Sequence, residues 1–176
     1  MPDSELDAQG ALTVSGFTTV PATAAYTEGV HYWETTAAAV PGLSHYGVVG
    51  SDAAAPPPAG VLGEFLGHLD AGGWGGWAVQ GRAVLGDADG GTAPAVFRRA
   101  FSKGKAHGSA KPPYFRPGQR LGLKLDMGAR TVAYYLDGEA QGVVFTGLPS
   151  HVWPAASSSY GSAVYSDTAF GLPPPA

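Results

Sequence analysis

No cysteine occurs anywhere in the chain. Its absence excludes disulfide frameworks, thiolate metal ligands and thiol nucleophiles, and it favours a reducing, intracellular setting. Long apolar runs are missing as well: no stretch approaches membrane-spanning length, and the opening Met1-Pro2-Asp3-Ser4-Glu5-Leu6-Asp7 lacks the basic and apolar regions of a secretory leader. A protein of the cytoplasm or nucleus is therefore expected. Helical stripes are also absent, beyond a turn expected near residues 60–67. One sign of charge is missing locally. From Gly90 to Leu125 there are eight Lys or Arg and no Asp or Glu, whereas the rest carries two bases and fourteen acids, so the net −4 is a sum of +8 and −12.

What is abundant fits an all-β chain. The 27 glycines and 15 prolines punctuate short strands and break helices. The hydrophobic fraction of 44% supplies a core for a single domain, which at this size buries about two-thirds of its unfolded surface. Strand-length apolar runs recur near 12–14, 30–36, 45–50, 77–85, 119–126, 131–136, 141–146 and 152–157. The clearest is Gln119 to Asp126, where Leu121, Leu123 and Leu125 alternate with Gly122, Lys124 and Asp126 and fall on one face of the pleat. Met127-Gly128-Ala129-Arg130 is expected to turn the chain into Thr131–Leu136. Asp137-Gly138 then predicts a tight I′ hairpin into Gln141–Phe145, because that turn needs positive φ twice. The three strands form an antiparallel meander. The ends, residues 1–10 (acidic) and 173–176 (Pro-Pro-Pro-Ala), are expected to be tails around a folded unit of residues 11–172. Residues 53–58 and 100–117 are expected to be exposed loops, the second strongly basic.

Little in the sequence points to catalysis. His31, His45, His68, His107 and His151 show no ligand spacing, so no metal is expected. Asp87-Ala88-Asp89-Gly90-Gly91 lacks the later oxygen ligands of a calcium loop, because Gly91 and Arg98 occupy those places, and it reads as a hairpin turn. No Gly-x-Ser-x-Gly elbow occurs, and Ser157-Ser158-Ser159 has no base that the sequence identifies. Gly72-Gly73-Trp74-Gly75-Gly76 has neither the lysine nor the helix of a phosphate loop. A sandwich glycosidase needs two facing carboxylates. Glu34, Glu64 and Glu139 are the candidates, and they form no recognisable pair. The overall acidity of the chain, and a basic stretch with only Tyr114 and Phe115 as stacking platforms, argue against nucleic acid as a partner.

The residues resemble the SPRY family from about Ala11 to Phe170. Gly29-Val30-His31-Tyr32-Trp33-Glu34 looks like the family's strand entry. His45-Tyr46-Gly47-Val48-Val49-Gly50, Phe65-Leu66-Gly67 and Trp74-Gly75 follow in the family's order. Then come Arg116-Pro117-Gly118-Gln119-Arg120-Leu121-Gly122-Leu123, Tyr134-Tyr135-Leu136-Asp137-Gly138, Gly142 to Leu148, and Trp153-Pro154-Ala155. Departures are Thr35-Thr36 for Val and Glu, Asp137 for the common Asn, and Trp153 for Tyr. No PRY-like segment is expected in the short N-terminus. The wording is nearest to the SPRY proteins that carry a SOCS box and act as ubiquitin-ligase adaptors, although no SOCS box lies before Ala176.

The resemblance implies a bent two-sheet antiparallel β-sandwich, a concanavalin-like jelly roll, that binds peptides or proteins through rim loops without catalysis or cofactor. Carried over position by position, it implies partner contacts at Ser159-Tyr160-Gly161, where the subgroup has an aliphatic-Trp-Gly segment, and at Leu62, near a contact tyrosine. The subgroup's Arg-Pro contact loop has no counterpart, since residues 14–19 read Val-Ser-Gly-Phe-Thr-Thr. Trp74, an aromatic among glycines, is a further candidate anchor, because such residues bury much area at small entropic cost. Arg98, Arg99, Lys103, Lys105 and Lys111 are candidates for steering an acidic partner. The expected molecule is a monomeric adaptor or scaffold that contacts no membrane. A carbohydrate-binding or glycosidase sandwich and a structural subunit of a larger assembly are the alternatives.

Overall fold

The computed structural model describes residues 4–6, 12–15, 21–22, 24–40, 43–55, 66, 69–71, 73–82, 100–102, 105–107, 115–159 and 162–176. Among these, thirteen strands are found: β1 (Ser4–Leu6), β2 (Leu12–Ser15), β3 (Val30–Ala39), β4 (Leu43–Ser51), β5 (Asp70–Ala71), β6 (Trp74–Arg82), β7 (Ala100–Ser102), β8 (Lys105–His107), β9 (Arg120–Asp126), β10 (Thr131–Leu136), β11 (Glu139–Thr146), β12 (His151–Ser159) and β13 (Ser162–Phe170). They build two antiparallel sheets. The first runs β1-β2-β13-β3-β9-β10-β11, and the second runs β12-β4-β6-β7-β8 with β5 on β6.

The meander forms as its local signals predict. Leu121 pairs with Leu136, Leu123 with Tyr134 and Leu125 with Val132. The β10–β11 turn has φ of 51° at Asp137 and 83° at Gly138, the double positive φ that this hairpin needs. The Asp137 carboxylate reinforces it by accepting the Arg120 N–H at 2.8 Å and the Gln119 Nε2–H at 3.0 Å.

Two apolar clusters follow from strand alternation. Between the sheets, Trp33, Leu121, Leu123, Leu125, Val132, Tyr134 and Tyr165 of the first sheet meet Tyr46, Val48, Trp77, Val79 and Val152 of the second. Polar ties cross this layer: the Tyr134 hydroxyl donates to the Tyr46 carbonyl at 2.6 Å, and the Tyr165 hydroxyl to that of His45 at 3.4 Å. Burial raises the hydroxyl pKa of Tyr46, Tyr134 and Tyr165, and Tyr134 and Tyr165 serve as neutral donors. The alternate residues of the second sheet, Val49, Trp74, Ala78, Trp153 and Ala155, form another cluster on its far face with Leu66 and Leu69.

Four regions differ from the sequence expectation. Part of the N-terminal tail is a strand, with Glu5 opposite Thr13. The basic segment expected to be a loop contains β7 and β8, which pair as Phe101 with Ala106. The longest addition is β13, inserted between β2 and β3. Trp74 opens a strand instead of lying in a loop. Of the turn expected near 60–67 only Leu66 is described, the loop expected over 53–58 is described only through Ala55, and the hairpin expected at 87–91 lies outside the described residues. Leu172–Ala176 carry no regular structure. Among the described residues no helix is long and apolar enough to cross a membrane.

Candidate functional site

The register of the second sheet defines its two ends. Ser159 pairs with Leu43, and Leu43 with Arg82, so these three backbones form the last row at one end. Only residues 160 and 161 separate Ser159 from Ser162, which pairs with Ser15 in the first sheet. The Ser159–Ser162 connection therefore bridges the two sheets at this end. In the first sheet Arg120 pairs with Thr36, which lies opposite Ser166, four residues along β13 from Ser162, and the Gly118 N–H donates to the Ala37 carbonyl at 2.7 Å.

Tyr160, Gly161, Leu62, Arg98, Arg99, Lys103 and Lys111 lie outside the described residues, and Ser159 and Lys105 are described through their backbones alone. Ala100, which follows Arg99, pairs with Val79 near the Arg82 end. Ser102 pairs with Trp77, and Lys105 with Ser102. The Lys105 backbone thus lies level with the middle of β6.

A contact that the sequence does not announce links the two halves of the expected site. The Leu66 N–H donates to the Ser157 hydroxyl at 2.9 Å, buried, across 91 residues of sequence. Ser157 lies two residues before Ser159, and Leu66 lies four after Leu62. The chain at Leu66 and Leu69 is held on the sheet by a second bond, from Gly76 N–H to the Leu69 carbonyl at 2.9 Å. It comes so close that a Cβ on Gly76 would lie 1.6 Å from the Leu66 oxygen. Trp74 belongs to this docking layer. Its ring meets that of Trp153 at 5.2 Å and only 5% of the residue is exposed. The structure therefore corrects its reading as a surface anchor: Gly76 admits the covering chain, whereas Gly73, with φ of 84°, turns the chain into β6.

The outer face of the first sheet carries a polar group. Glu34 accepts from the Tyr32 hydroxyl at 2.8 Å and from Arg120 Nε in an ion pair. Tyr32 stands edge-on to Tyr135 at 5.3 Å, with its hydroxyl over Gly122, where a Cβ would come within 2.2 Å of it. Partial burial alone would raise the Glu34 carboxyl, but the bonds from Arg120 and Tyr32 and the guanidinium charge outweigh it and hold it below its ordinary 4.5. Burial, and then the bond to Glu34, push the Tyr32 hydroxyl up. Glu34 is thus kept ionised, whereas a glycosidase acid must be kept protonated at working pH.

At the other end of the sandwich Asp52, Ser150 and His151 meet without forming a catalytic relay. The Asp52 carboxylate accepts the backbone N–H of Ser150 at 2.9 Å, and the Ser150 hydroxyl lies 3.0 Å from His151 Nδ1. A relay needs the carboxylate on the imidazole and the imidazole between the other two groups. Here the carboxylate caps a turn.

No family model matches the chain, and no curated protein matches its sequence. Among solved structures, the SPRY domain of human HERC1 is similar, with a TM-score of 0.62 and 15% identity over 93% of this chain and 90% of that one. The TRIM65 PSpry domain is similar with a TM-score of 0.50 and 16% identity over 86% of this chain and 71% of that one. At such identities the likeness is one of fold: the two-sheet antiparallel sandwich described above is the SPRY fold.

Proposed function

We propose that this SPRY-fold chain is a non-catalytic interaction module, an intracellular adaptor or scaffold that grips a segment of a protein partner at the Ser159 end of its sandwich. Ser159, Tyr160 and Gly161 form one side of the grip and Leu62 the other. The observation that supports this reading is the buried bond from Leu66 to Ser157, because it tethers the chain on the Leu62 side to the strand that leads into Ser159. Arg116 stands towards the same end, and Arg98, Arg99 and Lys111 add to a charge that attracts an acidic segment at long range. Lys103 and Lys105, of the same basic segment, belong to this steering set. The absence of cysteine suits the intracellular setting.

The test is selection of peptides from a display library on the purified chain, followed by titration of Tyr160→Ala. Acidic peptides are expected to emerge. The substitution should weaken them by about 1–2 kcal/mol, roughly tenfold, with an unchanged melting temperature, as removal of an aromatic anchor does. Equal affinity in the variant removes Tyr160 from the site. Binding on a glycan array with no peptide selected overturns the proposal as a whole.

A further inference from the structure

The end of the sandwich opposite Ser159 contains a cavity of about 200 Å³, lined by Gly50, Asp52, Gly73, Trp77, Gly147 and Pro149 among others. It lies at the Ser51–His151 row, eight residue steps from the Leu43–Ser159 row, or about 27 Å along extended strands. It is smaller than the roughly 300 Å³ at which pockets for whole small molecules begin, which makes it a space for one side chain.

Its walls are built to stay open. Gly73 and Gly147 have φ of 84° and 70°, and neither would bring a Cβ within 4 Å of another atom, so both leave free space where a side chain would otherwise stand. Gly50 lacks a Cβ for a different reason, since one would lie 2.6 Å from the Pro149 ring. That contact sets the position of the proline wall. The Ser51 hydroxyl fixes another wall by donating to the Gly73 carbonyl at 2.9 Å.

The acidic group among the lining residues is Asp52, and it is held in place. Asp52 is exposed, and one of its oxygens is fixed by the Ser150 N–H. That bond comes first among the causes that keep its carboxyl below the ordinary range, with smaller effects from Arg130 and His151. These two neighbouring groups do not pair with the carboxylate. The Arg130 guanidinium donates to the Leu148 carbonyl at 3.4 Å, while His151 meets the Ser150 hydroxyl and stacks on Trp153 at 6.2 Å. An exposed carboxylate in a recess of side-chain size, which Trp77 also lines while only 5% exposed, is a combination that selects organic cations.

We propose that this cavity is a second recognition site, which takes the guanidinium or ammonium side chain of a partner polypeptide. It is independent of the grip at the Ser159 end. It would give the module one acidic and one basic contact, at opposite ends, with which to orient an extended partner.

Titration of the isotope-labelled full chain with capped arginine and capped lysine (N-acetyl, N-methylamide) tests it. The probes should produce saturable shifts at the Gly50, Gly73 and Gly147 amides and the Trp77 indole. Capped citrulline, which is near-isosteric but neutral, should bind at least about tenfold more weakly, the loss expected for a charge-assisted pair. Asp52→Asn keeps an acceptor for the Ser150 N–H and should lose arginine binding to the same extent. Equal shifts with citrulline, unaltered binding in Asp52→Asn, or no saturable shift with either cation would overturn the site. Binding of free methylguanidinium without binding of capped arginine would overturn its assignment to a polypeptide. The citrulline comparison uses the unaltered protein and so stands whatever the variant does to folding.

Discussion

Replacement of Gly76 by alanine is expected to cost about 3 kcal/mol and to lower the melting temperature by roughly 10 °C, although it adds one methyl group to a strand. The added Cβ would lie 1.6 Å from the Leu66 carbonyl oxygen and 2.7 Å from its carbon. Both atoms are backbone, so no rotamer change can relieve the clash. The chain at Leu66 and Leu69 would have to lift. It would then give up two hydrogen bonds and the burial of Leu66 and Leu69, both fully buried against Val49, Trp74 and Trp153. Gly73→Ala is the control. There a Cβ meets nothing, and the cost should be only that of the left-handed φ, about 1–2 kcal/mol. Thermal unfolding monitored in the near ultraviolet, where Trp74 and Trp153 contribute, distinguishes the two. A Gly76→Ala protein that melts within a few degrees of the parent would mean that the segment does not lie on the sheet.

Removal of the Ser157 hydroxyl is the second large effect. Ser157→Ala leaves the Leu66 N–H buried without its acceptor, an imbalance worth about 2 kcal/mol, or roughly 6 °C for a domain of this size. Because the bond ties the Leu62 side to the strand that ends at Ser159, affinity for selected peptides should fall as well. Tyr160→Ala, by contrast, should lower affinity without lowering stability. If Ser157→Ala melts like the parent and binds as tightly, the tether has no role in either.

These contacts show where sequence reading reaches and where it stops. The meander from Arg120 to Thr146 is legible because each step is local: Leu121, Leu123 and Leu125 alternate along one face, and Asp137-Gly138 sets the return. The strand Ser162–Phe170 is not. Val164 and Tyr165 are adjacent rather than alternate, Ser166-Asp167-Thr168 resembles a turn, and Asp167 has φ of 52°. Its partners on either side, Leu12–Ser15 and Val30–Ala39, impose the strand. Lys105–His107 is hidden for a similar reason, since three residues with a lysine carry no period.

The candidate site was legible only in part. The Ser159–Gly161 connection and Leu62 come from the family resemblance, position by position. Ser157 carried no signal of its own: in a serine run it invites a catalytic question and hides a structural answer, because its partner lies 91 residues away. Trp74 misled for a physical reason. Glycine beside tryptophan suits an exposed turn, but it suits equally a strand over which another backbone passes. Glu34 reads in the sequence as a candidate acid; Tyr32 shares its strand face, and only the fold brings Arg120 to it.

Hydrogen exchange of the chain with and without a saturating selected peptide tests the central claim most directly. The account predicts slowed exchange at the amides of residues 159–162 and around residues 61–66, with the outer face of the first sheet unchanged. Protection confined to that outer face, around Tyr32, Glu34 and Arg120, would contradict it.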